Sequence, residues 1–220
     1  MRRIPEPEYM DIEEEAAAYA AADFDAVNAA FVHAVLEFSG TRAAPRVLDL
    51  GSGPGDIPQQ ICQMRPNWRV VGVDASRAML RCAMRRKSEY KKTAWLRYVQ
   101  CDAKKLPFPA HCFDIVISNS ILHHIADVHN FWIEIRRVTK SQGALFLRDL
   151  ARPSDEKEAA RLVQEYSGKE SPLLQEEFYR SLLAAYTPDE VQRQLHDADL
   201  PEAQVLQVTD RHLDVRCILP

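Results

Sequence analysis

The chain has 220 residues, a net charge of −4 and a pI near 6.0, with 46% hydrophobic and 27% charged residues. That suits one α/β domain with a sizeable core, and its mild acidity gives no electrostatic case for nucleic acid. No apolar run approaches the ~20 residues of a membrane span, and Met1-Arg2-Arg3-Ile4-Pro5 has no apolar stretch behind its arginines, so neither a membrane nor a signal peptide is expected. The five cysteines are odd in number, scattered and never in C-x-x-C spacing. That excludes a disulfide framework or a cysteine zinc site and points to a reducing, cytoplasmic compartment.

In chain order, the prolines of Pro5-Glu6-Pro7 keep residues 5–10 out of a helix. A helix is predicted from about residue 12 to Ala22, with acids in its first turn. Asp23 reads as a cap for a second helix, which carries Phe24, Val27, Phe31, Val35 and Phe38 at helical spacing and ends at Gly40. Tyr9 and Tyr19 are aromatic candidates for lining a substrate site.

Arg46 to Leu50 reads as a buried strand, and Gly51-Ser52-Gly53-Pro54-Gly55 follows it. Three of the seven glycines fall in those five residues. Glycine is required where backbone takes positive φ or meets a ligand closely. Strand, glycine turn and the helix to Met64 form a nucleotide-type site. The dinucleotide fingerprint is G-x-G-x-x-G, whereas here it is G-x-G-x-G, flanked by Asp49 and Asp56. Acids at both ends suit a ligand with a cationic end better than a diphosphate, and S-adenosylmethionine fits that description. Asp49, Gly51, Ser52, Gly53 and Gly55 are therefore cofactor candidates.

The second strand runs from Trp68 to Val73, and Asp74 lies 19 residues beyond Gly55. An acid there can accept both ribose hydroxyls. Ala75 adjoins it, Ser76 is the cap candidate for a helix over Arg77 to Lys87, and Met79 is placed to touch an adenine. The cations Arg81, Arg85, Arg86, Lys87, Lys91 and Lys92 read as a solvated helix end. Strand three, Trp95 to Val99, leads to Asp102-Ala103, whose carboxylate and backbone N–H supply the acceptor and donor an adenine edge needs. Strand four, Phe113 to Asn119, brings Asn119 and Ser120 to the sheet end where open α/β folds bind ligands.

Ser120 to Ile125 is expected to open the next helix. Adjacent His123 and His124 would then point about 100° apart, which disfavours a shared metal, and no metal site is expected. Helix Val128–Val138 and strand Ala144–Leu150 follow, the latter ending in Arg148 and Asp149. Two charges at a buried strand end need partners or a site. Asp149 is the first candidate for a base or substrate contact, and Arg148 joins it on the substrate side. Residues 152–186 read as polar helices broken at Ser167-Gly168. Thr187-Pro188-Asp189-Glu190 is a capping box with proline at the first helical position, starting a helix to about Ala198. Strands over Ala203–Val208 and Leu213–Leu219 close the chain, with His212 between them as a substrate-side candidate.

The glycine turn, Asp102-Ala103 with Leu106-Pro107-Phe108, and Phe113-Asp114-Ile115-Val116-Ile117-Ser118-Asn119 followed by Leu122-His123-His124 together resemble the class I S-adenosylmethionine-dependent methyltransferases. The likeness is to their small-molecule, ubiquinone/menaquinone-biosynthesis-like branch and covers Val47 to Leu150. It implies a Rossmann-like α/β fold: a seven-stranded, mostly parallel sheet flanked by helices, with N-terminal helices and a helical insertion after strand five forming a cap. A single domain is expected, with cap helices over 1–40, a cofactor-binding core over 45–150, a substrate cap over 151–186 and a C-terminal helix and strand pair over 187–220. The resemblance also implies that Asp102 accepts from the adenine amine, that His123 borders the cofactor and approaches the substrate, which makes it a catalytic candidate beside Asp149, and that S-adenosylhomocysteine is the product.

The Asn/Asp-Pro-Pro-Tyr of amino-methylating enzymes and the Pro-Cys of cytosine C5 enzymes are both missing, so a small-molecule acceptor is expected rather than nucleic acid. The quaternary state is expected to be monomer or homodimer. The alternatives are an NAD(P)-dependent oxidoreductase on the same fold, or an adenosyl-ligand-binding protein without catalysis.

Overall fold

A computed structural model of the chain describes residues 1–7, 11–89 and 93–220. Tyr9, Lys91 and Lys92 lie outside the described residues. Seven strands form one sheet in the order β3-β2-β1-β4-β5-β7-β6. They are β1 Arg46–Leu50, β2 Arg69–Asp74, β3 Leu96–Gln100, β4 Phe113–Asn119, β5 Thr139–Leu150, β6 Gln204–Gln207 and β7 His212–Ile218. The first five are parallel, while β7 runs antiparallel to both β5 and β6. Strand order reverses between β1 and β4, and such a switch leaves a crevice at the carboxyl ends of the strands.

Both faces of the sheet are covered, which is why its parallel strands are nearly continuous apolar runs. Leu48 and Leu50 face α5 (Val128–Val138) and α8 (Pro188–Asp197), packing with Phe131, Trp132, Ile135, Val191 and Leu195. Val47 faces the opposite way, toward α2 (Asp25–Ser39) and α3 (Asp56–Met64), with Phe31, Val35, Ile61 and Phe146. A buried side chain of this size contributes about 1.5–3 kcal/mol, so these two layers dominate the stability. The inward face of α2 includes Phe31, Val32 and Val35, but Val27 is exposed at 42%. The expected stripe was placed one position off there, because helical spacing alone does not say where the sheet begins.

The cap has two parts. Helix α1 (Glu13–Ala21) lies on α4 (Arg77–Glu89), where Ala16 meets Ala78 and Met79. After β5, α6 (Glu156–Ser167) and α7 (Pro172–Ala184) make a small core of their own around Leu162, Leu182 and Leu183. Residues 1–7 run across this insertion. Ile4 N–H donates to the Leu183 carbonyl, and the N-terminal ammonium donates to the Ser154 carbonyl at 2.9 Å. No helix among the described residues is long and apolar enough to cross a membrane.

Candidate functional site

A cavity opens at the carboxyl ends of β1, β2, β3 and β4. Its wall includes Gly51, Gly53, Asp74, Ala75, Met79, Asp102, Ala103, Asn119 and Ser120, together with Tyr19 from α1. Ten of the expected residues, from six separate stretches of sequence, thus share one wall. Asp49, Ser52 and Gly55 lie behind it.

The glycine turn takes its shape from close approaches. Gly51 has φ +70°, and a Cβ there would sit 2.1 Å from Ile121 Cγ2, so no other residue fits. Gly53 has φ +52° and meets nothing within 4 Å, while its N–H donates to Asp74 Oδ2 at 2.8 Å. The Ser76 N–H donates to the other oxygen, Oδ1, at 2.8 Å. Asp74 therefore braces the turn as well as facing the cavity. Burial raises its pKa, and the two amides oppose that shift. Each carboxylate oxygen keeps acceptor capacity for a hydroxyl.

Asp49 is different. It is 1% exposed, and neither carboxylate oxygen has a hydrogen-bond partner among the described residues. Burial, and then the nearby Asp74, push its pKa well above the usual carboxylate range. An orphaned buried acid is costly unless a cation or donor arrives. Asp56 behaves otherwise. Arg86 of α4 pairs with it and also reaches the Ala20 carbonyl. The charge expected to repel a diphosphate is thus neutralised within the fold, and the case against a diphosphate rests on Asp49 and the glycine spacing. Arg86 and Arg81, the latter paired with Glu13, also bind α1 to α4.

Asp102 accepts from the Lys104 N–H at 2.8 Å, which turns the loop after β3 and leaves Asp102 and Ala103 on the wall. Met79 is buried in the same wall, and its N–H is capped by Ser76 Oγ at 3.1 Å. Ser120 carries φ +60°, an uncommon conformation for a non-glycine residue. Its N–H donates to the Arg148 carbonyl at 2.9 Å, which holds it there.

The expected substrate-side residues separate. Tyr19 is on the wall, where burial raises its pKa to about 12. Arg148 lies off it, in a bidentate pair with buried Asp214 at 2.6 and 2.8 Å, directly across the β5–β7 ladder. His212 also lies off the wall, with Nδ1 3.1 Å from Thr209 Oγ1, and burial lowers its pKa to about 4. Asp149 is fully buried behind the cavity. Its Oδ1 meets His123 Nδ1 at 2.5 Å and its Oδ2 accepts from the Leu122 N–H at 2.6 Å. Asp149 thus touches no cavity space and orients a histidine.

The histidines sit in a single 3₁₀ turn, Leu122–His124, rather than in the expected α-helix, and the Leu122 N–H donates to Asp149. Their ring centroids are 4.2 Å apart. His124, not His123, reaches the cavity wall. Glu6, from the N-terminal segment, sits over both: its Oε1 is 3.5 Å from His123 Nε2 and 3.3 Å from His124 Nδ1. Neither Glu6 nor the wall residues Ile121 and Ile125 carried a signal in the sequence, since their position depends on that turn.

A family described as "Methyltransferase domain" matches residues 48–147. A malonyl-acyl-carrier-protein O-methyltransferase from Legionella pneumophila is 34% identical over 111 residues, covering 49% of this chain and 37% of the relative. The ubiquinone/menaquinone biosynthesis C-methyltransferase UbiE from Stutzerimonas stutzeri is 30% identical over 122 residues, covering 55% and 48%. The alignments thus span about half or less of the curated relatives' length. A SAM-dependent methyltransferase from Aquifex aeolicus superposes with a TM-score of 0.69 at 18% identity, covering 93% of this chain and 97% of that one, which is a likeness of fold. The sequence likeness to methyltransferases thus covers the core over residues 48–147, and the likeness over the whole chain is one of fold.

Proposed function

We propose that the chain binds S-adenosylmethionine in this cavity and catalyses in-line methyl transfer to a small-molecule acceptor. When bound, that cofactor supplies an electrophilic methyl group on a sulfonium. The observation that carries the reading is the orphaned carboxylate of Asp49 beside a glycine turn whose wall also holds Asp74 and Asp102. Three acids around one turn suit adenosine with a cationic tail. Asp74 would accept the ribose hydroxyls, Asp102 and the Ala103 N–H would take the adenine edge, and Met79 would pack on its face. Asp49 would supply the counter-charge for the ammonium end. Asp49 and the glycine spacing speak against NAD(P), whose diphosphate would meet a buried acid behind the turn.

Methyl transfer to an aligned nucleophile is mainly a matter of proximity, which can supply roughly 7–11 kcal/mol. The chain's contribution is to hold, orient and exclude water. Tyr19 from α1, with His124 and Ile125 from the 3₁₀ turn, would shape the acceptor side. The malonyl-acyl-carrier-protein and quinone-pathway relatives support a small acceptor without choosing between an oxygen and a carbon nucleophile.

The test is acceptor-dependent release of S-adenosylhomocysteine from S-adenosylmethionine, across a panel of phenols, carboxylic acids and amines. The reading expects release with at least one class, and from Asp74→Ala a release that needs a higher S-adenosylmethionine concentration. Binding without release for any class would favour a ligand-binding protein that does no chemistry.

A further inference from the structure

We propose that Glu6, His123 and His124 form a binding site for a divalent transition metal of the zinc class, at the rim of the cavity. The site would tie residues 1–7 to the 3₁₀ turn. This inference does not depend on the methyl-transfer reading, and it departs from the expectation that adjacent histidines would diverge on an α-helix.

Donor spacing carries the proposal. One ligand atom from each of the three residues lies within 4.8 Å of the other two. Glu6 Oε1 is 3.5 Å from His123 Nε2 and 3.3 Å from His124 Nδ1. Zinc bonds to nitrogen and carboxylate oxygen of about 2.0–2.2 Å imply a tetrahedral edge of about 3.3–3.6 Å. A shared proton would instead draw such a pair to about 2.7–2.9 Å.

Orientation points the same way. His123 Nδ1 lies 2.5 Å from Asp149 Oδ1, which turns Nε2 toward Glu6. Against the effect of burial, the two carboxylates raise the pKa of the ring, so a metal at Nε2 would take the place of a proton there. Nε2 and the Glu6 carboxylate thus face each other across a buried gap of 3.5 Å, wide enough for a metal to bridge. Carboxylate–histidine pairs of this kind fix the tautomer and raise the basicity of metal-ligating imidazoles. Asp149 is itself held by the N–H groups of Leu122 and Leu150, each at 2.6 Å. Glu6 Oε1 also accepts from Ser181 Oγ at 3.1 Å, so both first ligands have outer partners.

Two groups oppose the site, and both are accommodated. The His124 Nδ1 lies 3.2 Å from the Pro7 carbonyl, which accepts its proton when no metal is bound. Metal binding at Nδ1 would move that proton to Nε2, since the ligating imidazole is neutral. The Arg3 guanidinium donates to the His123 carbonyl at 2.7 Å and lies over the Tyr186 ring. The two carboxylates, Glu6 and Asp149, outnumber that one charge. A set of two imidazoles and one carboxylate suits zinc and its neighbours better than magnesium or calcium, which prefer all-oxygen ligands. Three protein ligands would leave a fourth position open, and one of the three, His124, lies on the cavity wall.

The test uses the full chain stripped with a chelator. Calorimetric titration with Zn²⁺ is expected to give one saturable equivalent. Titration with Co²⁺ is expected to give four-coordinate ligand-field bands without a sulfur-to-metal charge-transfer band. Removing an outer partner of a metal site commonly costs about 10–100-fold in affinity, so removing a ligand should cost at least tenfold. Glu6→Gln and His124→Gln, each first shown to melt cooperatively, are expected to lose that much independently. Three results would overturn the site: no saturable binding, a charge-transfer band from the free cysteines, or affinity unchanged in both variants.

Discussion

The two sides of the cavity are built by different rules. The cofactor side is made of strand ends and the turns that follow them, so its residues are placed by short-range geometry. Gly51, Asp74, Asp102 and Asn119 each sit within two residues of a strand's carboxyl end. The acceptor side is made of pieces far apart in sequence. Arg3 donates to His123 and Ala184 carbonyls, and Glu6 approaches the 3₁₀ turn and α7. On the proposed reading, strand ends would make the cofactor site by short-range geometry, whereas the acceptor site would draw on a docked N-terminal segment.

That contrast can be broken most sharply at β5, whose terminal charges could serve either the fold or the acceptor. Asp214 holds both Arg148 and Arg216, the latter at 2.7 Å, and is fully buried. Asp214→Ala should cost about 3–5 kcal/mol of unfolding free energy by stranding two guanidinium groups, read by denaturant melts. An acceptor KM that moved while stability did not would assign Arg148 to the substrate.

On the cofactor side, Asp74→Ala should weaken S-adenosylhomocysteine binding by about 1.5–3 kcal/mol, roughly 12- to 150-fold. Unchanged affinity would mean the ribose lies elsewhere. On the cap side, Arg3→Ala should free residues 1–7 by about 1.5–3 kcal/mol of local docking. Hydrogen exchange at Ile4 should rise while S-adenosylhomocysteine affinity stays level, and a parallel loss of that affinity would erase the division between the two sides.

Asp49 adds a pH dependence. Its folded pKa is raised, so the folded state holds a proton that the unfolded state releases earlier, and stability falls as pH rises through the folded value. Each unit of that shift is worth about 1.4 kcal/mol. Asp49→Asn should flatten the upper part of the pH–stability profile of the ligand-free protein and weaken cofactor binding. A profile identical to wild type would show that Asp49 has a partner. The smallest effect belongs to the capping box of α8, where the Glu190 N–H donates to Thr187 Oγ1 at 3.3 Å and Glu190 Oε2 accepts from the Thr187 N–H at 2.9 Å. Thr187→Ala should cost about 0.5–2 kcal/mol of stability and leave cofactor affinity untouched.

The same division explains what could be read before the fold was seen. The glycine turn, the acids after β2 and β3, and the Thr187 cap are local patterns, and the structure brings the first two onto one cavity. Arg148 and Asp149 were recognised as charges needing partners, but the partners, Asp214 and His123, lie 66 and 26 residues away. Asp56 showed as an acid at a helix start, while Arg86, which neutralises it, comes from the next helix. Glu6 left no trace, because it meets His123 and His124 only where the N-terminal segment lies against a turn far along the chain. Local chemistry is written in spacing; pairing across the sheet or through a docked terminus is not.

The most direct measurement is calorimetric titration of the purified protein with S-adenosylhomocysteine and, in parallel, with NADH. The account predicts saturable one-to-one binding of S-adenosylhomocysteine, weakened by Asp74→Ala, and no binding of NADH. Binding of NADH alone would contradict it, because a turn backed by an unpaired buried acid would then be holding a diphosphate.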